Sequence, residues 1–125
     1  MTVEQTLFTT LSTDANVSAV ISNSSSPETY RIFPEVAPDE TAKPFIVYSL
    51  ISAIKPQTFS GRSVLENTRI QIDCYSTSYA QSRSLSALVL TAVDENMAVG
   101  NNQAISFYEQ ETQLYRISLD ISLWQ

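Results

Sequence analysis

This chain of 125 residues has no histidine, one cysteine and two glycines. Each shortage removes a class of chemistry. Without histidine there is no Ser-His or Cys-His nucleophile pair. A single cysteine closes no internal disulfide, and structural or catalytic zinc needs several Cys and His ligands. Gly61 and Gly100 lie too far apart to build a phosphate-cradling loop. Charge is scarce as well, at 16% of the chain, and it is unbalanced: 13 acids against 7 bases give a net −6. The basic residues are scattered. Tight binding to a nucleic-acid backbone needs a basic patch, so the sequence argues against that partner. An acidic wall does something else near DNA: it lets the duplex slide past without sticking. No apolar run reaches the roughly 18 residues of a membrane span. The opening "MTVEQTLFTT" lacks the basic and apolar regions of a signal peptide, so the expectation is a cytoplasmic or particle-borne protein.

The remaining acids make poor sites. Asp39 with Glu40, and Asp94 with Glu95, are sequence neighbours that diverge on regular structure. Glu109 and Glu111 share a phase if their strand is unbroken, but hard-cation sites gather more oxygen ligands than two. Asp73 reads as an outward surface carboxylate with no second acid or base to work with. The reading is a non-enzymatic protein with no catalytic residue, no cofactor and no metal.

What the chain does have is pattern. At 43% hydrophobic residues it is long enough for one core and one domain, spanning 1–125. Thr2 and Gln5 form a capping-box pattern before an apolar stripe of Val3, Leu7 and Leu11 with Phe8. Asp14 caps a second short turn carrying Val17, Val20 and Ile21. "SNSSSPET" is a loop by composition, and "RIFPEVAPDETAKP" an extended surface connection with a short strand at most. "FIVYSLISAI", residues 45–54, is a strand apolar on both faces, with Phe45, Val47 and Ile51 set against Ile46, Tyr48, Leu50 and Ile54. After the turn "KPQTFSG" the return strand runs from about Val64 to Tyr75. Ile70, Ile72 and Cys74 point inward there; Arg69, Gln71 and Asp73 point outward. Ser78 and Gln81 repeat the capping-box pattern, and Leu85, Leu88, Val89, Ala92 and Val93 follow helical spacing. "NNQ" reads as a connection. "QAISFYEQ" and "LYRISLDISLWQ" are strands, the second with Leu119 and Ile121 on its apolar face. These elements predict an α+β fold: an antiparallel or mixed sheet of about four strands, with helices packed on one face. Its core scaffold is Ile70, Ile72, Cys74, Leu85, Leu88, Leu119 and Ile121.

The hairpin over about 45–75 is long for so small a domain, since its first strand alone spans roughly 30 Å at about 3.3 Å per residue. Its tip, about 52–68, is expected to project. The arm carries Leu50, Ile54, Phe59, Val64 and Leu65, and apolar residues on an arm call for a partner. These five are the candidate subunit interface.

Taken in order, the segments "LFTTLSTDANVSAVI", "RIFPEVAP" with "KPFIVYSLIS", "FSG", "TRIQIDCYSTSYAQSRSLSALVLTAV" and "LYRISLDISLW" resemble the tail-terminator, or tail-completion, proteins of long non-contractile-tailed bacteriophages. The resemblance covers nearly the whole chain; the "SNSSSPET" stretch and the hairpin tip depart from it. It implies a homo-oligomeric, typically hexameric ring on the head-proximal end of the tail tube. Such a ring stops tube polymerisation and docks the head-side connector or stopper, while DNA passes through its lumen without specific binding. The implied location is the tail–neck junction of the virion, after assembly in the host cytoplasm. Two alternatives remain open: a neck stopper or other head–tail joining protein, and a small ligand-binding α+β domain.

Overall fold

Two helices open the chain, and the reason is the spacing of their apolar residues. In α1 (Val3–Thr13), Val3, Leu7 and Leu11 fall on one stripe and all three are buried. Phe8, expected with them, faces outward. In α2 (Ala15–Ile21) the Asp14 carboxylate accepts from the Asn16 and Val17 N–H groups at 3.0 and 2.9 Å, satisfying donors a helix start leaves unpaired. The computed structural model describes residues 3–23, 29–38, 41–54, 57–58, 61–62 and 67–124. The expected cap at Thr2 lies outside them.

Beyond α2, β1 (Ser22–Asn23) pairs with β2 (Thr29–Tyr30), so the ends of the expected loop form a short antiparallel ladder. The Arg31 side chain anchors this corner. It donates to the carbonyls of Val20 at 2.8 Å, Ser22 at 3.1 Å and Pro44 at 2.8 Å. A cation at a helix C-terminus also complements its dipole.

The main sheet takes β3 (Ile32–Pro34), β4 (Phe45–Ile54), β7 (Asn67–Ser76), β8 (Ala98–Glu109) and β9 (Leu114–Trp124) in the order β3-β4-β7-β9-β8. β3 lies parallel to β4 and every other pairing is antiparallel. The sheet is mixed and has five strands, one more than expected, because the proline-rich connection contributes β3. Between β4 and β7, the two-residue strands β5 (Gln57–Thr58) and β6 (Gly61–Arg62) pair with each other. The β4–β7 ladder extends to Ile54↔Asn67, and β9 flanks β7 along its whole length. Residues 52–54 and 67–68, expected in a projecting tip, are therefore part of the sheet.

Helix α3 (Tyr79–Asn96) lies on β7 and β9. Leu85, Val89, Ala92 and Val93 are buried against Ile70, Ile72, Cys74, Leu119 and Ile121. A fully buried aliphatic side chain of this size contributes about 1.5–3 kcal/mol, so this layer is the main source of stability. Leu88 is half-buried at its margin. Ser82 extends the buried stripe and donates its hydroxyl to the Tyr115 carbonyl at 3.0 Å. At the helix start Ser78 accepts from the Gln81 N–H at 3.5 Å. The Gln81 side chain instead takes the hydroxyl of Ser76, whose oxygen accepts from the Ser78 N–H at 3.2 Å.

The opposite face is not uniformly wet. Phe45, Val47 and Leu114 form a second small core with Phe33, Ala37 and Tyr75. The Phe45 and Tyr75 rings stack with centroids 4.8 Å apart. The segment after β3 folds over this end of the sheet, and that covering buries Asp73, expected at the surface, to 5% exposure. Thr68 is fully buried, because the helix-side core extends to its end of β7.

Candidate assembly surfaces

Burial changes abruptly between two neighbouring strands. Ile117, Leu119, Ile121 and Leu123 of β9 are all buried under the helices. One strand further out, residues 102–108 of β8 are all exposed, including Ile105 at 45%, Phe107 at 42% and Tyr108 at 49%. α3 ends just before β8 and packs mainly on β7 and β9, so Ala104, Ser106 and Tyr108 on the helix side of β8 lie beyond its cover, while Ile105 and Phe107, opposite Ser118 and Arg116, lie on the other face. The "NNQ" read as a connection is inside this strand, which starts two residues after the helix and bulges between Val99 and Asn101.

The exposed rings of β8 are held by the strand beside it. The Arg116 guanidinium sits 4.5 Å over the Phe107 ring. Tyr108 leans on Tyr115 with centroids 4.8 Å apart, and Tyr79 meets Tyr115 edge-on at 5.9 Å. No charged residue occurs from 98 to 108. Among the described residues β8 has no strand on its outer side.

The other side of the sheet has a second open stretch. β3 covers β4 only at Ile46, Val47 and Tyr48. From Ser49 to Ile54 the outer side of β4 is unpaired among the described residues, and Leu50 and Ile51 are 43% and 49% exposed. A bulge between Leu50 and Ser52 leaves Ile51 without a partner on β7 and interrupts the alternation expected along this strand. Of the five expected interface residues, Leu50 is thus exposed at an open edge. Ile54 lies in β4 opposite Asn67. Phe59, Val64 and Leu65 are outside the described residues. The scaffold residues Ile70, Ile72, Cys74, Leu85, Leu119 and Ile121 are buried, with Leu88 half-buried. Ile51, Ile105, Phe107 and Tyr108 were missed as surface candidates. The available signal was the charge-free run from 98 to 108.

Several polar groups of the open face are engaged with one another, although the buried Arg116 Nε has no hydrogen-bond partner among the described residues. The Gln71 amide donates to both Asp73 carboxylate oxygens at 3.2 and 3.1 Å. Burial works against the charge of Arg116, but the Tyr75 hydroxyl, Asp73 and Glu109 together raise its pKa. Burial pushes the Tyr75 phenol up. Arg116 also approaches Glu109 at 3.8 Å. Further along, Arg69 forms an ion pair with Asp120 across β7 and β9, and Asn67 donates to the Ser122 hydroxyl at 2.8 Å. Glu109 ends β8 and Glu111 sits in the following turn, so the expected common strand phase is broken. Among the described residues no three His, Cys, Asp or Glu side chains gather to hold a metal, and no helix is long and apolar enough to cross a membrane. Burial and nearby Asp73 push the Cys74 thiol far up, which keeps it an unreactive core group.

This architecture has known counterparts. A chain in a solved structure described as "Virion of native gene transfer agent (GTA) particle" superposes with a TM-score of 0.60 at 13% identity. The match covers 98% of this chain and 92% of that one, and at this identity it speaks for the fold alone. No curated protein sequence matches. The family model described as "Tail completion protein gp17" matches residues 5–125, from the first helix through β9. The chain belongs to that family of structural phage-tail proteins.

Proposed function

We propose that this protein closes into a ring on the head-proximal end of the phage tail tube. There it stops tube polymerisation and offers a docking face to the head-side connector, while DNA passes through the ring. Six copies is the number the family resemblance favours. The observation that carries the reading is the uncovered, charge-free β8 strand beside the buried β9. An exposed, charge-free strand carrying Ile105, Phe107 and Tyr108 is read as an interaction surface. Family membership across residues 5–125 supplies the context of tail completion. The net charge of −6 fits a lumen that DNA traverses without adhering. The hairpin tip with Phe59, Val64 and Leu65 adds a second contact, reaching from one subunit over the next. Charge substitutions at Phe59 or Leu65 are expected to leave the monomer fold intact and to block ring assembly.

Electron microscopy of a lysate lacking this gene product tests the reading. Unattached heads beside overlong, variable tails are expected. Unattached tails of normal length would move the protein to the neck as a stopper. Normal infectious particles would overturn the assembly role, and a small-molecule thermal-shift screen would then test the ligand-binding alternative.

A further inference from the structure

We infer that the outer edge of β8 pairs with the open Ser49–Ile54 edge of β4 in the next copy of this chain, so that neighbouring subunits share one continuous sheet. The inference rests on the ring reading above and specifies its seam.

Both edges present unpaired backbone N–H and C=O groups, which recruit another strand unless something blocks them. Proteins commonly block such edges with lysine, proline or inward-pointing charge. Here none of these three is used: residues 98–108 and 45–54 contain no charged residue and no proline. Two chains of net charge −6 repel one another over most of their surfaces. They meet at least cost where neither carries charge. The exposed side chains at the two edges are apolar to match, with Leu50 and Ile51 on one and Ile105, Phe107 and Tyr108 on the other.

The two edges differ, and they lie on opposite sides of the same sheet. A contact between unlike surfaces is head-to-tail, which generates rings or filaments rather than two-fold dimers. Strand direction agrees. From β4 through β7 and β9 to β8 the direction reverses at every step. β8 therefore runs opposite to β4, and a copy related by rotation about a ring axis brings its β4 alongside β8 in antiparallel orientation. That is the more stable ladder and it needs no crossover. β3 covers Ile46–Tyr48, and the bulge at Ile51 interrupts the rest, so each seam is short. A short seam is weak for an isolated pair and gains from closure, in which every subunit contributes two seams.

The test is a disulfide trap on purified tails carrying the full chain, run under mild oxidation and read on a non-reducing gel. The native Cys74 is fully buried and does not compete. The double variant Leu50→Cys with Ser106→Cys is the first probe, since both residues lie on the helix-side face, opposite Ile70 and Ile117. Ala53→Cys with Ala104→Cys, both at exposed small residues, is the second, in case the first perturbs folding. The expected result is a ladder of covalent multimers of this chain from a double variant, lost on reduction, with no multimer from any single variant. A covalent dimer from Ser106→Cys or Ala104→Cys alone would mean two-fold β8–β8 pairing and overturn the seam. Tails that contain the protein but yield no multimer from either double variant would overturn it equally, while leaving the ring reading standing. Tails that lack the protein would remove the ring reading, and the seam with it.

Discussion

β9 and β8 run side by side from Ala98↔Trp124 to Glu109↔Leu114, yet one is core and the other surface. Opposite each other stand Leu119, 2% exposed, and the exposed Ala104; one step along, Ser118 is buried and Ile105 is 45% exposed. The ladder is continuous, so backbone pairing does not distinguish the two strands. Cover does: the helices lie over Leu119 on one face, and the small core around Phe45, Val47 and Tyr75 lies on the face of Asp73 and Ser118. α3 rests on β7 and β9 and turns into β8 only after its last residue, so β8 emerges from under the helix that precedes it. Secondary structure and hydrophobic content alone do not make a strand part of a core. A strand of ordinary composition at the sheet's edge remains available to a second molecule.

Substitutions can break this contrast, beginning with the largest expected effect. Leu119→Ala removes a buried side chain at the centre of the helix–sheet layer. Urea unfolding is expected to show a loss of about 2–5 kcal/mol, and a near-neutral result would place the core elsewhere. Asp73→Ala strips the buried acceptor from the Gln71 amide and leaves Arg116 with one fewer acidic neighbour. A loss of about 1–3 kcal/mol is expected in the same measurement; no change would mean that the open face is as wet as its alternating pattern suggests. Leu88→Ala sharpens the comparison at the margin of the core. Because Leu88 is only half-buried, the expected cost is about 1 kcal/mol, clearly below that of Leu119→Ala. Ile105→Lys has the smallest expected effect on the monomer, within about 0.5 kcal/mol. It is nevertheless expected to abolish assembly, read by size-exclusion chromatography of tail-bound or oligomeric material. A large stability loss from Ile105→Lys would erase the distinction between the two strands.

Much of the fold was legible before any coordinates. The 3.6-residue spacing of Val3, Leu7 and Leu11, and the alternation of Ile70, Ile72 and Cys74, identify elements because burial of one face imposes those periods. Ser78 and Asp14 were legible as caps because few side chains can satisfy a helix start. Other features were not legible. Ile51 has the same chemistry as its neighbours, but the bulge that leaves it unpaired arises from register against β7, which no local pattern encodes. Asp73 alternates like a surface residue. Its burial depends on a segment some thirty-five residues earlier folding over the far side of the sheet. The β8 surface was half-visible: its lack of charge can be read directly, but its lack of cover cannot.

The sequence by itself determined the absence of histidine-based chemistry, the existence and type of the long elements, and the inward faces of β7, β9 and α3, since these depend on residue identity and short-range periodicity. It also carried the family likeness that the match over residues 5–125 bears out. Only the tertiary structure decided which strands lie at the edges, which face receives the second small core, and which apolar residues remain in contact with water. Those outcomes depend on strand order and on where α3 comes to rest, and both are set by contacts between residues far apart in the chain.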